Sequence, residues 1–336
     1  MTTPSVSRAR RSAPILAAVC LAAVMTAVPV VAQDDGEADV AAEHEITLYT
    51  SVTQDTVDAV LAVLAERHPE VRVEVFRAPT GELDARIASE QRSGGLAADV
   101  LWMTDPLSIQ RYEADDLLAP LEGEYEAVPP RYRSDRFVGT RLLNLVVVTG
   151  QGLDPQPVSW ADLASEVYAD GVVIPDPGFA GSAFAALGYF ATTDQHGMDF
   201  YQRLKDNGAV QVSSPGEVLT GVAEGRYSAG ITLDKVVRGA VDKGSPIELV
   251  WPEPGAIALY SPAAVVASSD DAPTAQAFVE FLVSPEAQAA IADTGWEPVR
   301  PDVDWPHSAP AVTPDWTELF GRQQELLEGY RAIFGD

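Results

Sequence analysis

Between Glu45 and Met103 the chain alternates between two kinds of apolar spacing, and that alternation limits the fold more than any other feature of the sequence. "EITLYTS" places Ile46, Leu48 and Thr50 at every second position, the period of a strand. "VTQDTVDAVLAVLAERHP" then sets Val57, Val60, Leu61 and Leu64 at helical spacing until Pro69 stops the run. "VRVEVFRA" is a second alternating strand, and "TGELDARIASEQRSGG" a second amphipathic helix, with Thr80 as its N-cap and Gly94-Gly95 as its stop. "ADVLWM" is a short buried strand that ends at Thr104-Asp105. Strand, helix, strand, helix, strand at this spacing predicts parallel pairing through right-handed crossovers. Ligands on such sheets bind beyond the carboxyl ends of the strands. Here those ends are Tyr49-Thr50-Ser51, Ala78-Pro79-Thr80 and Met103-Thr104-Asp105.

The same grammar continues. "LLNLVVVTG" is an apolar strand, "VSWADLASEVYADGVVIPDP" a short helix and a strand, and "GSAFAALGYFATT" a helix. "DFYQRLKDNGAVQVSS" gives a helix and a strand, as "PGEVLTGVAEGRYSAGITL" does. "AIALYSPAAVVASS" is a long apolar stretch interrupted by Pro262. "APTAQAFVEFLVSPEAQAAIADTG" reads as two helices split at Ser284-Pro285, and "DWTELFGRQQELLEGYRAIF" as a terminal helix. A chain of 336 residues, 46 % hydrophobic, can bury a large core, and its length suggests about two domains.

The first 32 residues stand apart. Arg8, Arg10 and Arg11 precede an apolar stretch from Ala13 to Val31, and "VVA" ending at Ala32 is a small-residue cleavage site, so residues 1–32 read as a signal peptide. An uncleaved membrane anchor is the alternative, because the stretch has about the minimum length for a span. Cys20, the only cysteine, lies in this stretch, so the mature chain is expected to carry no disulfide, thiolate nucleophile or zinc–sulfur site. Residues 33–43 are an acidic tether of small residues, expected to be disordered. Net charge is −28, and loss of the three leader arginines makes the remainder more acidic still. Such a surface repels nucleic acid and anionic lipid, and any anion-binding site must be strong locally.

Four stretches carry a family likeness: "ITLYTS", "GGLAADVLWMTDP", "PDPGFAGSAFAAL" and "GAIALYSPAAVVASSDDAPTAQAFVEFLVSPEAQ". Over nearly its whole mature length the chain resembles the extracellular solute-binding proteins of bacterial ABC importers, specifically the ferric-iron type. The resemblance implies an α/β periplasmic-binding fold of type II. Two lobes, each a mostly parallel sheet flanked by helices, would be joined by hinge strands and close on a ligand between them. Residues 44–138 plus 254–300 would form lobe 1, and 139–253 plus 301–336, including the C-terminal helix, lobe 2. The partners implied are a small ligand and the transmembrane permease subunits, with no cofactor. The protein is expected to act as a monomer, in the periplasm or at the cell surface.

The family's iron ligands do not carry over. Its adjacent tyrosines fall at Lys235 and Val236, its histidine at Thr53 and its glutamate at Thr104. Its anion-binding turn falls at Gly181-Ser182-Ala183, where a helix begins. The unpaired N–H groups of such a terminus suit phosphate, phosphonate or carboxylate oxygens. Lys235, one of only three lysines, follows the strand "YSAGITL" on what reads as a loop facing the same cleft, and can supply a point charge to the anion. Asp234 or Asp105 could receive a ligand's ammonium group. Tyr260 and Trp102 are candidate surfaces for a carbon chain. The hydroxyls of Thr50, Ser51, Thr53, Thr80 and Thr104 would complete the hydrogen bonding.

A small organic anion is therefore the expected ligand, with ferric iron or an iron chelate as the alternative, and a sensor role is equally open to the same fold. An extracellular hydrolase is a third reading. His44, His68, His196 and His307 show no metal-ligand spacing and no nearby G-x-S-x-G serine, so no catalytic residue is assigned.

Overall fold

The computed structural model describes residues 44–335; the leader, Cys20 and almost all of the tether lie outside them. In chain order the elements are β1 (His44–Thr50), α1 (Gln54–Arg67), β2 (Val71–Arg77), α2 (Thr80–Arg92), β3 (Val100–Trp102), α3 (Pro106–Ala114) and β4 (Val138–Gly150). There follow β5 (Val172–Pro175), α4 (Gly181–Thr192), α5 (Asp199–Asp206), β6 (Val210–Val212), α6 (Pro215–Ala223), β7 (Ala229–Leu233), α7 (Asp234–Val241) and β8 (Ile247–Val250). The last are β9 (Ala256–Val265), α8 (Ala272–Leu282), α9 (Pro285–Asp293), β10 (Glu297–Pro298), β11 (Ala311–Val312) and α10 (Trp316–Phe334).

The strands hydrogen-bond in the order β2-β1-β3-β9-β4-β7-β5-β6. β1 pairs parallel with β2 and β3, as the alternating spacing of the first sixty ordered residues requires. β5 pairs parallel with β6 and β7. Between these parallel groups run β4 and β9, and each changes partner along its length. β9 pairs with β4 from Ile257 to Ala263 and with β3 from Ala263 to Val265. β4 pairs with β9 as far as Leu145 and with β7 from there to Thr149. They are the crossing strands of a two-lobed architecture, and both are buried over almost their whole length.

Pro262 does not interrupt β9 as expected from the sequence. It stands opposite Gly139, where the β4–β9 register shifts between Gly139 and Arg141, so its missing N–H falls at an irregularity in the ladder. The Ser284-Pro285 break does separate α8 from α9, with the Ser284 hydroxyl capping α9. Thr80 is the first residue of α2 rather than its cap; Pro79 holds that position. The stretch around Trp160 forms two short 3-10 turns instead of one helix.

The C-terminal helix packs more widely than expected. α10 touches α3 as well as α4 and α5. Gly188 allows the approach to α4, since a Cβ there would run into the Leu319 side chain. Tyr330 stacks edge-on against Tyr201 and donates to Gln211 Oε1 at 3.0 Å.

Candidate functional site

Four helices begin where the two halves meet, and their first turns are linked by a continuous chain of contacts. β7 runs straight into α7, so Lys235 stands in the first helical turn rather than on the loop expected from the sequence. Its ammonium reaches Asp55 Oδ2, in the first turn of α1, at 2.5 Å. Next to Asp55, the Thr56 hydroxyl accepts from Arg141 Nη1 at 3.4 Å. Arg141 Nε donates to Ser261 Oγ at 3.0 Å, and Ser261 Oγ donates to the Thr104 carbonyl at 3.4 Å. Asp105, the next residue, caps α3 by accepting from Leu107 N and Ser108 N. A Cβ on Gly181, the first residue of α4, would lie 2.6 Å from Asp105 Oδ2, so only glycine allows α4 to approach α3 this closely.

Arg141 dominates the electrostatics. It is 1 % exposed, its two bonded nitrogens meet hydroxyls only, and no described carboxylate lies within ion-pair distance. Burial pushes the guanidinium down, to about 9, and the field of Asp55 is what opposes that push. Arginine keeps its proton at neutral pH, so the protein carries a buried charge without a counter-ion. Arg141 reaches this place because of the register shift in β4, which turns its side chain to the face of Ser261, while Leu142 and Tyr260 take the opposite face. Its guanidinium also lies 4.5 Å from the Trp296 ring centroid, and Lys235 Nζ lies 4.8 Å from the same ring.

Helix termini add to this field. α4 has Ala180 at its N-cap and no side-chain cap, and the N–H groups of Gly181 and Ser182 have no partner among the described residues. Ser182 lies inside the first turn, 4 % exposed, and does not cap the helix; Ala183 is buried behind it. For Asp55, burial pushes the carboxyl up, but the Lys235 ammonium and the Thr53 hydroxyl outweigh it and hold the group below its ordinary value.

Several sequence-predicted residues have other occupations. Asp234 pairs with Arg238 at 2.9 Å and is 2 % exposed, so it is not open to a ligand's ammonium group; burial raises its pKa and Arg238 opposes the rise. Asp105 is likewise engaged as a cap, and burial raises it against its bonds to Ser108 and Leu107. Tyr260 is core: it packs on Tyr132, Phe137 and Trp316, because strand alternation turns it away from Arg141. Trp102 is fully buried and donates to the Thr140 hydroxyl at 2.8 Å. The Thr50 hydroxyl ties β1 to β3 by donating to the Trp102 carbonyl at 2.7 Å. Ser51 and Thr104 bond each other, Thr53 meets Thr56 at 3.1 Å, and Thr80 stays apart at the start of α2. Sequence reasoning passed over Arg141, Asp55, Thr56, Ser261 and Trp296. A lone charge inside "VGTRLLNLVVVTG" was the available signal for Arg141.

Thr53, Thr104, Lys235 and Val236, which the family likeness aligns with iron ligands, offer two hydroxyls, an ammonium group and an apolar side chain. Among the described residues no group of three or more His, Cys, Asp or Glu side chains is placed to hold a metal ion.

Comparison with known proteins agrees with the fold. A sulfate-binding protein of Synechocystis sp. is 26 % identical over 224 residues, which is 62 % of this chain and 60 % of that protein. A periplasmic protein of Salmonella typhimurium named for 2-aminoethylphosphonate is 25 % identical over 236 residues, 66 % of this chain and 68 % of its own length. Iron-bound HitA from Pseudomonas aeruginosa superposes with a TM-score of 0.75 at 21 % identity, covering 86 % of this chain and 99 % of HitA; this is a likeness of fold. The profile described as bacterial extracellular solute-binding protein matches residues 46–297. The chain belongs to that family, the bacterial extracellular solute-binding proteins, and its fold is that of the solved ferric-binding proteins.

Proposed function

We infer that this protein captures a small organic anion, such as a phosphonate, phosphate ester or carboxylate, between its two lobes and delivers it to a membrane permease. The observation that carries this reading is Arg141, a fully buried guanidinium with hydroxyl partners and no carboxylate. Leaving such a charge uncompensated costs several kcal/mol, and an anionic ligand removes that cost. The bare N–H groups at the start of α4 and the Lys235 ammonium supply further donors on the same chain of contacts. In this reading residues 44–138 plus 254–300 form lobe 1 and residues 139–253 plus 301–336 form lobe 2, with β4 and β9 as the hinge. Relatives named for sulfate and for 2-aminoethylphosphonate are consistent with an anionic ligand.

A thermal-shift panel of phosphonates, phosphate esters, carboxylates, sugars and ferric iron tests the assignment. A ligand at a hundred times its Kd adds about 2.7 kcal/mol to stability, a shift of several degrees for a chain of this size. Anions are expected to give the shift. A response confined to sugars or ferric iron contradicts the reading.

A further inference from the structure

Lys235 and Arg141 are the two cations on the Trp296 ring, but only Lys235 has a counter-ion. That counter-ion is Asp55, from the opposite half of the molecule, half-exposed and held in its charged form. Lys235, Arg141 and Asp55 together carry one net positive charge. Asp234 and Arg238 pair one turn away, and the Glu297 carboxyl beside them accepts from Asn144 at 2.8 Å. A dianion brought to Arg141 and Lys235 would place two negative charges beside Asp55, with the ion pair already satisfied. A ligand with two negative charges at one end and an ammonium group at the other has a net charge that matches the site. It can also insert into the ion pair, giving its anion to Lys235 and Arg141 and its ammonium to Asp55.

We propose that Asp55 determines the charge class of the ligand by accepting the ammonium group of a zwitterion, so that the cleft selects an amino-substituted anion over the same anion without the amine. This deepens the proposed function and rests on it. Sequence alone pointed to Asp105 and Asp234 for that task, but both are engaged elsewhere, whereas the Asp55 carboxylate is 54 % exposed and touches a cation that the anion needs.

The test is calorimetric titration of the full mature chain with 2-aminoethylphosphonate, ethylphosphonate and sulfate, at about pH 9, where an alkyl amine still holds most of its proton. Wild type is expected to prefer the amino compound over ethylphosphonate by about tenfold or more. Asp55→Asn is expected to remove that preference from both sides, weakening the amino compound and tightening ethylphosphonate. Asp58→Asn, one turn along α1, removes the same formal charge outside the contact chain and is expected to keep the preference. Equal affinity for the two phosphonates in wild type, or a preference unchanged in Asp55→Asn, overturns the role of Asp55 while leaving the anion reading intact. Failure of all three to bind, while another anion of the thermal-shift panel still stabilises the protein, overturns this proposal and leaves the anion reading intact; failure of every anion in the panel overturns both.

Discussion

The Arg141 guanidinium lies 4.5 Å from the centroid of the Trp296 ring, on a strand whose other buried side chains are uncharged. A cation over an indole is attracted by the ring's quadrupole, and the interaction strengthens when water is excluded. Lys235 approaches the same ring at 4.8 Å, so an anion that draws on both cations changes the field at the indole. Intrinsic fluorescence should therefore change on ligand binding, and Trp296→Phe should remove most of that change. A full response in Trp296→Phe would place the ligand elsewhere.

Arg141→Met should leave the ligand-free protein at least as stable as wild type, because exchanging buried charge for apolar volume is neutral or stabilising by about 1–4 kcal/mol. Its partners are not orphaned by the change. Ser261 Oγ keeps the Thr104 carbonyl, and Thr56 Oγ1 keeps the hydroxyls of Thr53 and Thr294. Urea unfolding with an unchanged m-value measures the difference. A loss of several kcal/mol would mean that the guanidinium is a structural strut.

Gly181→Ala tests the approach of α4 to α3. The added methyl would sit 2.6 Å from Asp105 Oδ2, and Asp105 cannot swing away without uncapping α3. The two halves should then close less completely, with ligand affinity falling about tenfold, equivalent to about 1.4 kcal/mol. Titration calorimetry beside thermal unfolding separates the effects. Unaltered affinity with lowered stability would assign the glycine to packing alone.

Much of the fold was legible because the sequence wrote it in two periods. The spacing of Ile46, Leu48 and Thr50 and then of Val57, Val60 and Leu64 is local information, and β1 and α1 follow from it. The site was less legible because its decisive residues meet across long separations. Asp55 and Lys235 are 180 residues apart in sequence, and Arg141 and Ser261 are 120 apart. Tyr260 was misplaced for a related reason. Which face a residue of β9 presents depends on its register with β4; Gly139 and Pro262 mark the irregularity, but that they stand opposite each other, 123 positions apart, is visible only in the fold. β10 and β11, at two residues each, are too short to show a period.

His196 carries a pH prediction. It is buried among Tyr189, Phe190 and Phe200, and neither ring nitrogen has a partner among the described residues. Burial, with the Arg203 charge adding to it, lowers its pKa below the ordinary 6.5. The unfolded chain then binds the proton more readily than the folded one, so stability rises with pH through this window and is lost as pH falls below about 6.5. His196→Phe should flatten the acid side of a melting-temperature profile below about pH 6.5 relative to wild type. Parallel profiles for the two proteins would show that His196 does not couple to folding.

If the buried, uncompensated Arg141 guanidinium holds an anion between the lobes, calorimetric titration of an anion identified by the thermal-shift panel into wild type, Lys235→Met and Arg141→Met will show it. Binding is expected to weaken in Lys235→Met and to be unmeasurable in a folded Arg141→Met. Wild-type affinity in Arg141→Met would remove the guanidinium from the binding site.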